Sequence, residues 1–328
     1  MRGAISVRIV LLHVAVVAVL FLLQFVLPTY HHGVMARVMV LAVFAMGYNL
    51  LFGYTGLLSL GHAMFFCAGL YGAGLTVYHL DWAVAPAFLA GLASGLALSV
   101  GVGVLVLRTT GPAFLIVTLM FGQIFYLLTL YFAEYTRGDD GIVLSQAMRR
   151  LQFGDTVIDL TNPANRYMAA WILFSVVLFI TLALVRAPFG RVLIAIRENE
   201  ERTRMLGYDT FVSKLAAMVA SGVICAAAGA AYALLFGYAG ASFAEVHFSI
   251  LPLLWVLVGG AATVLGPILG TLLMFYLVDY SNDILNAYFQ GWNLSYLGVV
   301  GVALVLLILF FPKGLLGSVR ERWVKWLP

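Results

Sequence analysis

The chain alternates from end to end between long apolar runs and short polar breaks, and the runs predict helices that cross a membrane. Nine stretches stand out, at roughly 9–27, 35–52, 57–79, 83–107, 111–132, 168–186, 213–236, 250–280 and 294–311. Most are near 20 residues, the length that spans about 30 Å of hydrocarbon. The stretch 250–280 is too long for one simple span and too short for two full ones. Gly259-Gly260 and Gly266-Pro267 interrupt it, which predicts two short helices meeting within or near the membrane. Such breaks are tolerated where the backbone is buried in protein or lines a cavity.

Two polar segments exceed ordinary connectors. Residues 133–167 are mixed in sign and contain Arg137-Gly138-Asp139-Asp140-Gly141, a turn-rich cluster. Residues 187–212 predict a short charged helix from about Val192 to Leu206. In it Glu198–Arg202 and Glu200–Arg204 fall at i,i+4 with the acid first, the favoured order, and Gly207 is placed to end the helix. One internal echo joins Leu51-Phe52-Gly53-Tyr54-Thr55-Gly56 to Leu235-Phe236-Gly237-Tyr238-Ala239-Gly240. A structural repeat and chance recurrence in a chain rich in Gly and Leu both account for it.

Composition turns the helical pattern into a membrane protein. Hydrophobic residues are 63% of the 328 and charged residues 10%, against about 25% charged in soluble domains; mean hydropathy is +1.04. The fold class is therefore all-α and polytopic. Arg2 and Arg8 before the apolar run Ile9–Leu27 imitate a secretory signal. The run is longer than a signal core, however, and leads into Pro28-Thr29-Tyr30-His31-His32 without a small-residue cleavage site, so an uncleaved first span is expected. Cys67 and Cys225 lie in apolar stretches and read as small packing residues.

Charge sets the parity. The basic balance, pI about 9.1, comes from Lys and Arg flanking the apolar runs, as positive-inside bias places them, and not from a nucleic-acid surface. Assigning the N-tail, Arg108, the segment Arg186–Lys214 and the C-tail to the cytoplasm puts thirteen Lys/Arg inside and five (Arg37, Arg137, Arg149, Arg150, Arg166) outside. Both termini are then cytoplasmic and the number of crossings even. That requires 250–280 to count twice, giving about ten transmembrane or half-membrane helices. The expected organisation is one transmembrane domain over 1–328, with 133–167 as the outer loop, 187–212 as the inner loop and 312–328 as a cytoplasmic tail.

Little in the chain offers enzyme chemistry. It has no G-x-x-x-x-G-K-[ST], no H-E-x-x-H, no cysteine cluster and no G-x-S-x-G. Metal and cofactors are not expected. Ionisable residues inside the apolar runs are scarce: His13 and His62 are the main ones, with Asp279 near a span end. A proton-driven carrier normally carries such relays, so the energy source is expected in a partner.

Several segments then fall into order. They are Asn49-Leu50-Leu51-Phe52-Gly53-Tyr54-Thr55-Gly56-Leu57-Leu58-Ser59-Leu60-Gly61-His62-Ala63; Phe114-Leu115-Ile116-Val117-Thr118-Leu119 with Phe121 and Gln123; Gly138-Asp139-Asp140-Gly141; Gly190-Arg191 and Ala195-Ile196-Arg197-Glu198-Asn199-Glu200; Val258-Gly259-Gly260; Gly266-Pro267-Ile268-Leu269-Gly270; and Phe311-Pro312-Lys313-Gly314-Leu315. Together, over roughly 40–318, this set resembles the LivM-type permease family of branched-chain amino-acid ABC importers. The resemblance implies an importer permease fold with broken helices in the bacterial inner membrane. It also implies a transport subunit and not an enzyme, with ATP hydrolysis on two separate ATPase subunits. A homologous second permease and a periplasmic substrate-binding protein complete the expected assembly. Related permeases for urea, short amides and other small polar solutes share much of the pattern, so the cargo stays open. An ion-coupled secondary transporter is the more distant alternative.

The candidate residues follow. Asn49, Tyr54, Ser59, His62 and Gln123 place hydrogen-bonding groups in segments that otherwise have few; they line a substrate pathway or join helices to one another. Gly53, Gly56, Gly61, Gly266 and Pro267 are expected to permit irregular backbone or close helix approach. The resemblance makes the charged inner segment the coupling element: Arg197, Glu198 and Glu200 for ATPase contact, Gly207 for the turn. Glu245 and His247, in the outer loop 237–249, face the binding protein or simply water.

Overall fold

The computed structural model describes residues 2–153, 156–288, 298, 301–302, 305–306, 309–311 and 313–322. Its helices are α1 (Arg2–Val26), α2 (Thr29–Asn49), α3 (Ala63–Leu80), α4 (Val84–Val106), α5 (Pro112–Tyr131), α6 (Ala133–Thr136), α7 (Pro163–Arg186), α8 (Pro188–Glu198), α9 (Glu200–Met205), α10 (Thr210–Phe236), α11 (Val246–Gly259) and α12 (Gly266–Tyr288). A further helix covers Gly314–Arg322. Seven are long and apolar enough to cross a membrane, and Val246–Gly259 and Gly266–Val278 are shorter apolar helices. The tenth expected segment, 294–311, falls mostly outside the described residues.

Caps set many of the boundaries. Asn162 accepts from Ala164 N at 3.0 Å to open α7, with Pro163 at its first position. Asp209 accepts from Val212 N at 3.0 Å to open α10. Both start a few residues before the apolar runs because a side-chain acceptor satisfies an otherwise orphaned N–H. Pro28 likewise lets α2 begin at Thr29, ahead of the predicted 35.

α2 is the buried post of the bundle. Every residue from Val38 to Leu51 is buried, and α7, α10, α11 and α12 pack around it. α3, α4 and α10 form a second tight group, in which α3 and α10 approach backbone to backbone: a Cβ on Gly69 would stand 1.9 Å from Ala226 O. Small residues are how helices attract each other where lipid removes the hydrophobic drive. α1 buries only Ile9 and His13 among its described side chains. It is tied to α7 by Trp171 Nε1 donating to Val17 O at 3.0 Å and by Tyr167 donating to Leu20 O.

Residues 187–209 lie at one end of the bundle and 132–162 at the other. The second end carries two short antiparallel ladders. β1 (Ile142–Val143) pairs with β4 (Tyr238–Ala239), and β2 (Arg150–Phe153) pairs with β3 (Thr156–Asp159).

Two expectations need correction. The span predicted over 57–79 begins as a helix only at Ala63, because 56–62 is non-helical. The charged helix predicted over Val192–Leu206 is two helices, broken at Asn199 (φ −161°, ψ 102°), whose side chain caps the second by accepting from Arg202 N at 2.9 Å. That break separates Glu198 from Arg202, and no ion pair joins them among the described residues; Glu200–Arg204 does pair, at 3.4 Å. The 250–280 hairpin breaks at Gly260–Leu265 as expected, between the shorter apolar helices Val246–Gly259 and Gly266–Val278, the second continuing in α12 to Tyr288. Of the two readings of the internal echo the backbone favours chance: Gly53 lies in a π-helical turn while Gly237 ends α10 at φ +72°, so the two hexapeptides adopt different conformations.

Candidate functional site

The site begins where α2 stops being regular. After Asn49 the helix widens into a π turn, Leu50–Tyr54, and then unwinds through Gly56–His62 before α3 starts. Non-helical backbone at membrane depth must find hydrogen bonds inside the protein. Here hydroxyls supply them. Leu60 N donates to Thr118 Oγ1 at 3.2 Å, Gly61 N to Ser59 Oγ at 3.3 Å and Ala63 N to Ser249 Oγ at 2.9 Å. Tyr48 donates to Ser59 O at 2.9 Å, and Leu57 N reaches back to Leu51 O at 3.2 Å.

His62 is fully buried in this knot. Its Nε2 lies 2.9 Å from Ser221 Oγ, and Ser221 donates its one hydroxyl proton to Gly47 O at 2.6 Å. His62 Nε2 must therefore be the donor; a charged ring, fully buried with Nδ1 unpartnered among the described residues, would carry a large desolvation cost, so the imidazole is neutral and protonated at Nε2. Nδ1 is a buried acceptor without a hydrogen-bond partner among the described residues. Tyr48 meets the imidazole edge-to-face at 4.8 Å.

Asn49 makes the second junction. Its Nδ2 donates to Thr263 O at 2.9 Å and its Oδ1 accepts from Ala262 N at 3.1 Å. One buried amide thus pins the π turn of α2 to the turn between α11 and α12. Gly53 makes this possible, since a Cβ there would stand 2.0 Å from Asn49 Oδ1. Gly61 is needed for a similar reason: a Cβ would stand 2.0 Å from Thr118 O. In the hairpin, Gly266 N donates to Thr263 Oγ1 at 3.1 Å, and Pro267 stands in the first turn of α12, its carbonyl accepting from Thr271 Oγ1 at 2.7 Å.

The charged segment reaches the same place from outside. The Arg197 guanidinium donates to Gly53 O, and the residue's aliphatic stem passes Gly56. Leu193 and Ile196 are buried beneath α8, while Glu198 is exposed. Glu200 turns inward instead: Lys214 Nζ lies 2.6 Å from its carboxylate and Arg204 Nη2 3.4 Å away. Burial alone would raise the Glu200 pKa, but the hydrogen bond and charge of Lys214 outweigh it and hold the carboxyl below its ordinary range. Gly207 takes φ +88° and donates to Arg204 O at 3.0 Å, ending α9 as expected.

Of the predicted pathway residues, Asn49, Tyr54, Ser59 and His62 are buried together around the unwound segment. Gln123 is half-buried on α5 and makes no hydrogen bond among the described residues. Glu245 and His247 are exposed, at the N-terminus of α11. The sequence reading missed Thr118, Ser221, Ser249 and Thr263, single hydroxyls in apolar runs. Thr118 stood inside a quoted motif, which was the one available signal.

Residues 30–310 match the family described as branched-chain amino acid transport system, permease component. The chain is 30% identical over 307 residues to the high-affinity branched-chain amino acid transport system permease protein LivM of Salmonella typhimurium, covering 87% of this chain and 69% of that one. The LivM protein of Escherichia coli is also 30% identical, with the same coverage. A probable branched-chain amino acid transport permease LivM of Methanocaldococcus jannaschii is 26% identical over 84% of this chain and 89% of its own. No solved structure matches.

Proposed function

The chain belongs to the permease family of branched-chain amino acid transport systems, and we propose that it is the passive transmembrane subunit of an ATP-driven importer. In this reading it sits in a bacterial inner membrane with both termini cytoplasmic. It pairs with a homologous permease, receives cargo from a periplasmic binding protein, and takes its power from two ATPase subunits docked on the 187–209 end. The cargo is a branched-chain amino acid, and the pathway opens by alternating access.

The observation that carries the reading is the hold of the charged segment on the interrupted helices. Arg197 joins α8 to the π turn at Gly53, and Asn49 joins that turn to the break between α11 and α12. α8 and α9 are short, polar on one face and linked through Glu200–Lys214 to the base of α10. A push of a few ångströms on α8 therefore reaches both irregular segments through hydrogen bonds, without bending a regular helix. Irregular backbone is the part that changes conformation at the least cost. Glu198, exposed at the end of α8, is the acid best placed to meet an ATPase groove; Glu200 acts by positioning α9.

Purification from the native membrane tests the reading: the chain should co-elute with a second permease and two ATPase subunits. ATP-dependent uptake of L-leucine should appear only when these and the binding protein are present. Ion-coupled uptake by the pure chain alone in liposomes would sink the reading.

A further inference from the structure

Three of the five arginines that the charge count places outside meet at one point. α10 ends at Phe236, and Arg37 Cζ lies 5.2 Å and Arg166 Cζ 5.4 Å from its ring centroid. Arg149 reaches the same helix end, donating from Nη1 to Leu235 O at 3.3 Å, and its Nε is buried without a hydrogen-bond partner among the described residues. The three come from α2, α7 and the segment between β1 and β2, so chain proximity does not explain the meeting.

Their charge is not balanced locally. Backbone carbonyls, not carboxylates, are what they meet: Arg166 donates from Nε to Leu160 O at 3.5 Å and from Nη2 to Thr161 O at 3.2 Å, and among the described residues no ion pair involves Arg37, Arg149 or Arg166. Asp159 attracts Arg149 from a distance, but Thr161 and Gln146 already engage its carboxylate and hold its pKa at about 2. The C-terminus of α10 contributes the equivalent of about half a negative charge. Three guanidinium groups repelling one another at short range remain undercompensated, and an oxyanion bridging them would relieve this while accepting paired N–H bonds.

The cluster's direction indicates the source of that anion. Along α7, Arg166 shares its face with Ala170, Phe174 and Val177, and along α2, Arg37 shares its face with Leu41, Phe44 and Tyr48. All six of those residues are buried, whereas Arg37 is exposed. The guanidinium groups therefore crown the seam where α2, α7 and α10 meet and open toward the end of the bundle. A soluble anion reaches them from water, and Phe236 offers an apolar wall beside them.

We propose that Arg37, Arg149 and Arg166 form a capture site for the carboxylate of the transported solute at the outer mouth. The proposal rests on the importer reading and says where the carboxylate of that amino acid is first held, so urea or a neutral amide should not bind there. The cations bind the carboxylate end and leave an amino group pointing to the open side, so the amine should not be needed for binding.

The test uses the assembled complex in nanodiscs of pure phosphatidylcholine, without binding protein, and calorimetry with four probes: 4-methylpentanoate, L-leucine, L-leucinamide and urea. The two carboxylates should bind and the two neutral or cationic probes should not. R37Q, at an exposed position, should weaken 4-methylpentanoate about tenfold, the loss of one charge-assisted contact, with R37K recovering part of it. Co-elution of the R37Q complex with its subunits checks its fold. If neither carboxylate binds wild type while ATP-driven uptake with binding protein persists, the capture site is wrong and the importer reading stands. Inorganic phosphate binding in place of the carboxylates would overturn it. So would loss of co-purifying phosphatidylglycerol in R37Q with leucine unaffected, in favour of a headgroup site. If the full assembly imports no branched-chain amino acid, both readings fail.

Discussion

Asn49→Ala is the perturbation that separates a working junction from incidental packing. Asn49 is 1% exposed, and its amide supplies both partners of the inter-helix clamp, to Thr263 O and from Ala262 N. Alanine leaves a buried C=O and a buried N–H without those partners. Each such loss costs about 1–3 kcal/mol in soluble proteins, and interhelical bonds in membranes average about 0.6 kcal/mol. A loss of about 2 kcal/mol for the pair is the working figure between those limits. At about 2 °C per kcal/mol for a chain of this size, the unfolding midpoint of the purified complex should fall by about 4 °C. The second half of the experiment is Gly53→Ala, whose new methyl would stand 2.0 Å from Asn49 Oδ1 and 2.6 Å from Ala262 N. Removing Asn49 relieves the first clash and leaves the second. The two substitutions should therefore be less than additive, with a coupling of about 1 kcal/mol or more, as expected of residues in contact. Additive effects, or an N49A midpoint within 1 °C of wild type, would refute the claim that this amide holds the break in place.

Three further outcomes follow from the same contacts. Arg197→Gln shortens the reach to Gly53 O and removes the charge, so ATP-driven uptake should drop about tenfold while basal ATP hydrolysis persists; parallel loss of both would show that Arg197 merely holds the subunit together. Gly61→Val places a branched side chain where a Cβ already stands 2.0 Å from Thr118 O, so assembled complex recovered by size exclusion should fall severalfold, and normal recovery would contradict the close approach. Glu200 is held below its ordinary pKa of 4.5, so its contribution is present above that value and is lost as pH falls through the lower folded value. Acid sensitivity of the complex, followed by tryptophan fluorescence between pH 6 and pH 3, should therefore be blunted in E200Q; an unchanged profile would remove the linkage to Lys214.

What the sequence revealed and what it hid have physical causes. The long helices were legible because lipid demands long apolar runs, and the break near residue 260 was legible because Gly259-Gly260 and Gly266-Pro267 cannot continue a helix cheaply. The unwound stretch 56–62 was hidden, since Leu57, Leu58 and Leu60 keep it apolar and its hydrogen-bond partners, Thr118 and Ser249, lie far away in the chain. The break at Asn199 had a local signal that went unread: Asn followed by Glu200 and Glu201 is an N-cap with acids in the first turn. Pairing of Ile142 with Ala239, and the meeting of Arg37, Arg149 and Arg166 at the end of α10, depend on contacts about 70 to 200 residues apart, for which one sequence carries no period or motif. The candidate residues Asn49, Ser59 and His62 were legible as polar groups in apolar surroundings, but their partners were not.

Uptake of L-leucine into proteoliposomes, with ATP enclosed or omitted and with the subunits supplied one set at a time, bears most directly on the central claim. The account predicts accumulation only when this chain, its partner permease, both ATPase subunits, the binding protein and ATP are all present, and none from this chain alone under an ion gradient. Accumulation by the chain alone, driven by a proton or sodium gradient and indifferent to ATP, would contradict it.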